Sequence, residues 1–520
     1  MRHTRRQFLK IAGGTGMLVG LGTTGATACG PQSNPEAGSL LKSSAKLPKP
    51  FEVPLPIPPL LHPTRSEGDT DFYDIVQKAA KVEILPGLTT AIWGYNGIFP
   101  GPTIDSRSGR RIVVRHRNEL PVPTTTHLHG GHTPSDSDGY PLDLVMPVLG
   151  WKEDTGHTHG AHKPMAPTNV SQGAKDYTYP QDQRAATLWY HDHRMDFTAP
   201  AVYRGLAGFH ILRDDVDDAL PLPKGDREIP LMITDRAFAD DGAFLYPALD
   251  PAGRRPGLDG DYDTGVLGDV ILVNGAPWPV LEVSPVRYRL RLLNGSNARR
   301  YRLELDPPPK GGSPFVQVGS DGGLLKTPVR RKSVTISPAE RYDVVVDFSQ
   351  YGAGAEVTLR NGLGDGTTAD VMRFRVTRRE KEDSTIPARL SDFETLDPSK
   401  AVTTRQFSFE RGDEHTWTIN GKTYEPGEMF ARPRLGDVEI WDLDIDGANH
   451  PVHVHLNQFQ VLGDDERKAD AGLKDTVGLN AGQKTRILIK FTGYQGRYML
   501  HCHNLEHEDM GMMADYEVSG

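Results

Sequence analysis

Asn96-Gly97-Ile98-Phe99-Pro100-Gly101-Pro102, followed by Arg111-Ile112-Val113-Val114-Arg115-His116-Arg117-Asn118, couples a turn signal to a run in which apolar and polar residues alternate. Such alternation is that of a strand with one buried face. The pattern returns as Asn274-Gly275-Ala276-Pro277-Trp278-Pro279 with Arg287-Tyr288-Arg289-Leu290-Arg291-Leu292-Leu293-Asn294. It returns again as Asn420-Gly421-Lys422 with Asp437-Val438-Glu439-Ile440-Trp441-Asp442-Leu443. The Asn-Gly pairs lie 178 and then 146 residues apart (96 to 274, 274 to 420), a domain-sized period. These repeats predict an all-β chain of three antiparallel sandwiches. Helical periodicity is scarce, and Ser384 to Lys400, with Pro387 and Pro398, reads as a connection between units.

The strands that close the units repeat as well. Leu188-Trp189-Tyr190-His191-Asp192-His193 in the first corresponds to Tyr498-Met499-Leu500-His501-Cys502-His503 in the third. Strand alternation turns Cys502 to one face and its two histidines to the other. His507 follows five residues after Cys502 and Met512 ten residues after it. A thiolate, imidazoles and a weak thioether are the ligand set of a blue copper site. Asp192 stands where Cys502 stands, so the first unit should hold no such site. Val357-Thr358-Leu359-Arg360-Asn361, the equivalent strand in the second unit, has no histidine, which makes that unit a spacer.

Of 19 histidines, fourteen fall between His127 and His193, between His450 and His455, or from His501 onward. Four His-x-His pairs stand out: His127/His129, His191/His193, His453/His455 and His501/His503. Strand spacing projects both imidazoles of each pair from one face. Two pairs lie in the first unit and two in the third, as a site in the cleft between them requires. Eight neutral imidazoles suit a cluster of copper ions better than a hard cation, and exceed the four ligands of a tetrahedral zinc site.

A chain of 520 residues is too long for one core. A net charge of −9 argues against nucleic acid as a partner, and no interior apolar run is long enough to span a membrane. Two cysteines, Cys29 and Cys502, exclude a disulfide framework. Thr4-Arg5-Arg6-Gln7-Phe8-Leu9-Lys10 and the Gly-rich stretch to Ala28 read as a twin-arginine export signal, placing the mature protein in the periplasm, at the cell surface or outside the cell. Ala26-Thr27-Ala28 before Cys29 fits either a lipid-anchored first cysteine or ordinary cleavage after Ala28.

The set His127-Leu128-His129-Gly130, Tyr190-His191-Asp192-His193, His450-Pro451-Val452-His453-Val454-His455 and His501 to Met512 resembles the four signature motifs of multicopper oxidases. The likeness covers nearly the whole chain after residue 50 and is nearest the spore-coat laccase, bilirubin oxidase and phenoxazinone synthase branch. It implies three consecutive cupredoxin-like Greek-key β-sandwich domains, expected at 49–220, 221–390 and 391–520 after a signal at 1–28 and a tether at 29–48. It also implies four copper ions per chain. His450, Cys502, His507 and axial Met512 would hold the type 1 ion, with Met510 and Met513 as nearby competitors for the axial place. His127 and His453 would hold type 2; His129, His191, His193, His455, His501 and His503 would hold the type 3 pair.

The activity implied is one-electron oxidation of phenols or aromatic amines, small-molecule donors that approach an exposed edge of His507, coupled to four-electron reduction of dioxygen to water. Glu508 and Asp138 match the acidic residues that supply protons in this branch. A cuprous oxidase in copper tolerance is the alternative, although the 12 methionines form no Met-rich insert. A copper carrier without activity would leave the eight paired histidines without a purpose. His132 stands near enough to the first pair to support it, whereas His116, His210 and His415 read as ordinary strand or surface residues. Gly156-His157-Thr158-His159-Gly160-Ala161-His162 is either a metal-scavenging tract or a solvated insertion.

Overall fold

The computed structural model describes residues 38–151, 165–377, 380–413, 415–463 and 472–520. The export signal, Cys29 and the 157–162 tract lie outside them. Three successive pairs of sheets follow along the chain. In the first, one sheet carries Thr70–Val82, Thr90–Tyr95, Arg111–Asn118 and Ala174–Tyr179. The facing sheet carries Gly101–Arg107, Thr126–His129, Ala186–Asp192 and Ala207–Arg213. The second pair is built from strands between Glu228 and Val376, the third from strands between Thr403 and Val518. Strands distant in sequence lie side by side, as Thr70–Val82 runs parallel to Arg111–Asn118 and Thr403–Arg411 parallel to Val438–Ile445. These are the crossovers of Greek-key sandwiches rather than of simple meanders.

The repeated Asn-Gly pairs have one physical role in all three units. Asn96, Asn274 and Asn420 adopt φ of 56°, 51° and 54°, and the glycines after them 72°, 84° and 71°. Two successive positive φ values make a tight turn that Asn and Gly tolerate best. Each asparagine also accepts a backbone N–H through Oδ1: from Val76 at 2.8 Å, from Met232 at 2.8 Å and from Ser408 at 2.7 Å. The turn is thereby locked to the strand alongside the one it leaves.

Alternation then sorts the side chains. Tyr498, Leu500 and Cys502 point into the core of the third sandwich with Trp417, Trp441, Val452 and Met512. Met499, on the opposite face, packs against Tyr140, Leu142 and Met195 of the first sandwich. The histidines flanking Cys502 share that outward face, so the cleft between first and third sandwiches is a buried seam. The second sandwich meets the first through a buried apolar cluster, Met232, Leu293 and Ala339 against Trp189, Phe209 and Ile211, and through buried charges beside it. Arg289 and Arg291 meet Asp217, Glu228 and Asp343, with Arg289 Nη2 2.5 Å from Asp343 and Nη1 2.8 Å from Asp217.

Candidate metal centre

Strand register brings the histidine pairs together within each sandwich. His127 on Thr126–His129 lies directly across from His191 on Ala186–Asp192. His453 on His450–Val454 lies directly across from His501 on Gly496–Cys502. The two sandwiches then face each other, with His127 stacked on His455 at 3.9 Å between ring centroids and His129 on His453 at 3.7 Å. All eight paired histidines are buried, and groups of three, such as His193, His455 and His501, place ring nitrogens within 4.8 Å of one another.

Outer contacts fix which nitrogen each ring turns inward. Nδ1 of His127 contacts the Asp138 carbonyl at 2.5 Å, Nδ1 of His191 the Asp192 carbonyl at 2.8 Å, and Nδ1 of His453 the Asp475 carbonyl at 2.8 Å. With Nδ1–H donating, Nε2 is left as a lone pair, and the Nε2 atoms of His127 and His453 meet at 3.4 Å. His129 is turned the other way: its Nε2 contacts Asp475 Oδ1 and Thr476 Oγ1, each at 3.0 Å. Nδ1 of His129, Nε2 of His191 and His193, and both ring nitrogens of His503 find no hydrogen-bond partner. Each such buried polar atom costs about 1–3 kcal/mol, so several together are a metal cradle rather than a packed core.

Burial keeps six of the eight rings neutral. It pushes His191 down to about 3 and His127, His129, His453, His455 and His503 well below the ordinary imidazole value. Glu508 is buried between two of the rings, with Oε1 2.9 Å from His193 Nδ1 and Oε2 3.1 Å from His501 Nδ1. Asp138 is buried as well, its Oδ2 2.6 Å from His455 Nδ1. Burial raises Asp138, with His127, His193 and His501 pulling it back. Neither acid is a surface residue, although Asp138 follows the 3-10 turn Ser135–Ser137.

The second cluster is His450, Cys502 and His507. His450 Nδ1 lies 3.3 Å and His507 Nδ1 3.7 Å from Cys502 Sγ, and the two Nδ1 atoms are 3.0 Å apart. His507 sits on the short helix Leu505–Asp509, whose preceding residue Asn504 donates its N–H to Cys502 Sγ at 3.3 Å. Burial pushes the Cys502 thiol well up, so the thiolate needs a bound cation to form. Soft sulfur with two neutral imidazoles fits copper. Met512 packs in the same core as Cys502, whereas Met513 lies across from His501 on the other face and Met510 is half-buried at the edge.

One expectation fails here. His507 has no exposed edge; it is 0% exposed. Its Nε2 contacts the Thr264 carbonyl at 3.1 Å, and Trp417 stacks on its face at 3.7 Å. The cover is a strap of the second sandwich, in which the Asp263 carbonyl accepts from Trp417 Nε1 at 2.9 Å and the Asp263 carboxylate contacts Arg411 and His415. The second sandwich is therefore more than a spacer. His415, 64% exposed, sits over this cover, which its sequence context did not signal.

Three further described histidines stand apart from both clusters. His132 pairs with Asp182, His210 contacts Ser106 Oγ at 2.6 Å, and His116 is enclosed by Tyr95, Tyr177 and Tyr190. Asp475 was missed by sequence reasoning. Its one signal is a charged pair, Lys474-Asp475, set directly before the strand Thr476–Leu479.

Two profiles described as multicopper oxidase match residues 77–148 and 396–520. A laccase of Bacillus subtilis is 35% identical over 530 residues, covering 90% of this chain and 98% of its own. A bilirubin oxidase of Albifimbria verrucaria is 35% identical, covering 94% of this chain and 85% of its own. Among solved structures, a laccase from Pediococcus acidilactici superposes with a TM-score of 0.78 at 33% identity, covering 92% of this chain and 96% of its own.

Proposed function

The chain belongs to the multicopper oxidase family, whose members are copper oxidoreductases, and from that premise we propose a laccase-like oxidase of phenolic or aromatic amine donors that reduces dioxygen to water. His450, Cys502, His507 and Met512 would hold the type 1 copper, His127 and His453 the type 2 ion. His129, His191, His193, His455, His501 and His503 would hold the type 3 pair. Bound copper supplies one-electron redox chemistry at the thiolate and dioxygen reduction at the histidine cluster.

The observation that carries the reading is the position of Cys502. Its side chain faces one cluster while its covalent neighbours, His501 and His503, face the other. Three consecutive residues thus connect the donor side to the oxygen side. An electron from a donor reaches His507 across the Thr264 peptide or the Trp417 ring, since both cover the imidazole. Glu508, between His193 and His501, and Asp138, against His455, would pass protons toward the water that forms.

Oxygen uptake by copper-loaded protein with a phenol tests the proposal, and Cys502→Ser should abolish it. Full turnover by that variant would sink the electron path.

A second reading, oxidation of Cu(I), is favoured by a hollow of about 40 Å³ beside the helix of His507, lined by Asp196, Glu506, Asp509 and Met510. One water needs roughly 10–15 Å³, so an ion has room there. Comparing oxygen uptake with Cu(I) and with a phenol separates the two donors. Export through the twin-arginine signal, with or without an acyl chain on Cys29, remains part of the proposal and is tested by the mass of the mature N-terminus.

A further inference from the structure

The second sandwich contributes no candidate ligand among the described residues, yet one of its arginines reaches the histidine cluster through a single carboxylate. Arg341 opens the strand Arg341–Asp347 and is fully buried. Its Nη1 donates to Asp475 Oδ1 at 2.7 Å and its Nη2 to Asp475 Oδ2 at 2.5 Å, a bidentate fork. Nε donates to the Thr187 carbonyl of the first sandwich at 2.9 Å, and further bonds go to the carbonyls of Ala339 and Asp321. This one guanidinium therefore ties all three sandwiches.

Asp475 passes the constraint on to two rings. Its Oδ1 contacts His129 Nε2 at 3.0 Å, and its carbonyl contacts His453 Nδ1 at 2.8 Å. Thr476 Oγ1 donates to Asp475 Oδ1 at 2.9 Å and stands 3.0 Å from the same His129 nitrogen. These contacts occupy His129 Nε2 and leave its Nδ1 to face the cluster without a partner. The backbone is adapted to the pair as well. A Cβ on Gly130, at φ +84°, would lie 2.6 Å from Arg341 Nη2 and 2.8 Å from Asp475 Oδ2.

We infer that Arg341 is a positioning residue for the histidine cluster, holding Asp475 so that His129 and His453 present the correct nitrogens to copper. The inference rests on the reading that the eight paired histidines hold copper. Groups that orient metal ligands from outside typically change metal affinity by about 10–100-fold when removed. Lys in place of Arg keeps the charge but loses the planar fork.

The test uses the full copper-loaded chain, comparing wild type with R341M, R341K and D475N, and with R289M as a control for loss of a buried arginine whose ion pairs are with Asp217, Glu228 and Asp343. Copper per chain, its rate of loss to a chelator, the electron paramagnetic resonance of the non-blue copper and the thiolate–copper absorption are measured. R341M and D475N should lose cluster copper about 10–100-fold faster than wild type, with R341K between. The non-blue resonance should change while the Cys502-dependent absorption stays, and R289M should lower stability without selective copper loss. Wild-type copper retention and resonance in R341K and R341M overturn the inference; so does parallel loss of thiolate and cluster copper matching R289M. A wild-type chain that binds only a thiolate copper overturns the underlying reading, and the inference with it.

Discussion

In the first sandwich the strand carrying His191 ends on Asp192; in the third, the strand carrying His501 ends on Cys502. Both strands pair in the same register with a neighbour that supplies a histidine opposite, His127 in one and His453 in the other. The positions that make the sulfur cluster in the third sandwich have counterparts at the same offsets in the first. Thr124 lies three residues before His127, as His450 does before His453. Phe197 and Val202 lie five and ten residues after Asp192, as His507 and Met512 do after Cys502. In the first sandwich these positions carry ordinary contacts: Thr124 Oγ1 donates to Gln77 Oε1 at 2.8 Å, Asp192 accepts the N–H groups of Thr125 and Arg194, and Phe197 lies under the Arg194 guanidinium. The scaffold therefore does not create the sulfur site. Four side chains on it do, and the same backbone without them is a well-satisfied core.

That comparison is broken most directly by Cys502→Asp, which writes the first sandwich's residue into the third. We expect the thiolate–copper absorption to vanish and oxygen consumption to fall by on the order of 10³-fold or more, roughly 4 kcal/mol in barrier, while the histidine cluster keeps its copper by metal analysis. Turnover within tenfold of wild type would mean the two closing strands are functionally equivalent.

Glu508 sharpens it next. Six residues after Asp192 the first sandwich has Thr198, whose Oγ1 stands 3.5 Å from His193 Nδ1, while six after Cys502 the third has the carboxylate. Glu508→Gln should lower turnover about 10²-fold, in the range of lost proton transfer, with the thiolate–copper absorption unchanged. Steady-state oxygen uptake beside the absorption spectrum checks this.

The second sandwich extends the contrast, because its contact with the first includes a buried ionic cluster. Burial alone would raise the Glu228 carboxyl, but Arg291, Arg289 and Arg213 override it and bring it down to about 2. The folded value lies below the unfolded one of about 4.3. Its contribution to stability is therefore complete above about pH 4.3 and lost as pH falls toward 2. Glu228→Gln should cost about 2–3 kcal/mol near neutral pH, since Asp217 and Asp343 remain to balance the arginines. Thermal unfolding from pH 6 to 2.5 should show the variant's deficit shrinking as the acid side is approached.

The smallest effects concern the repeated turn. Asn274 is buried, and its Nδ2 also donates to the carbonyls of Pro56 and Pro230, while Asn420 is exposed. Asn274→Ala should cost about 2 kcal/mol and Asn420→Ala about 1 kcal/mol, combining the positive φ with the lost hydrogen bonds. Equal losses in thermal unfolding would show that burial does not separate the repeats.

What the sequence made legible was whatever it repeats. The three sandwiches were readable because Asn-Gly and alternation recur, and the histidine pairs because strand spacing fixes their face. The spacing of four intervening residues after His507 that the resemblance implies singles out Met512 over Met510 and Met513, and strand pairing puts Met513 opposite His501. The cover of His507 and the Arg341–Asp475 pair were illegible. Thr264 stands 243 residues before His507, and Arg341 134 residues before Asp475. No local pattern encodes which distant loop closes over a side chain. The trace such contacts leave is a charge in an apolar strand. Glu340-Arg341-Tyr342-Asp343-Val344-Val345-Val346 has this character, with the ionic residues as buried as the valines.

The stacking of His127 and His129 against rings of the third sandwich also sets a schedule. His127 and His453 are 326 residues apart, and domains fold in order as a chain is synthesised at roughly 5–20 residues per second. Some 15–65 seconds of elongation, at roughly that rate, therefore separate the first half of the cluster from its closure. During that interval the four imidazoles of the first sandwich have no partner rings to close over them.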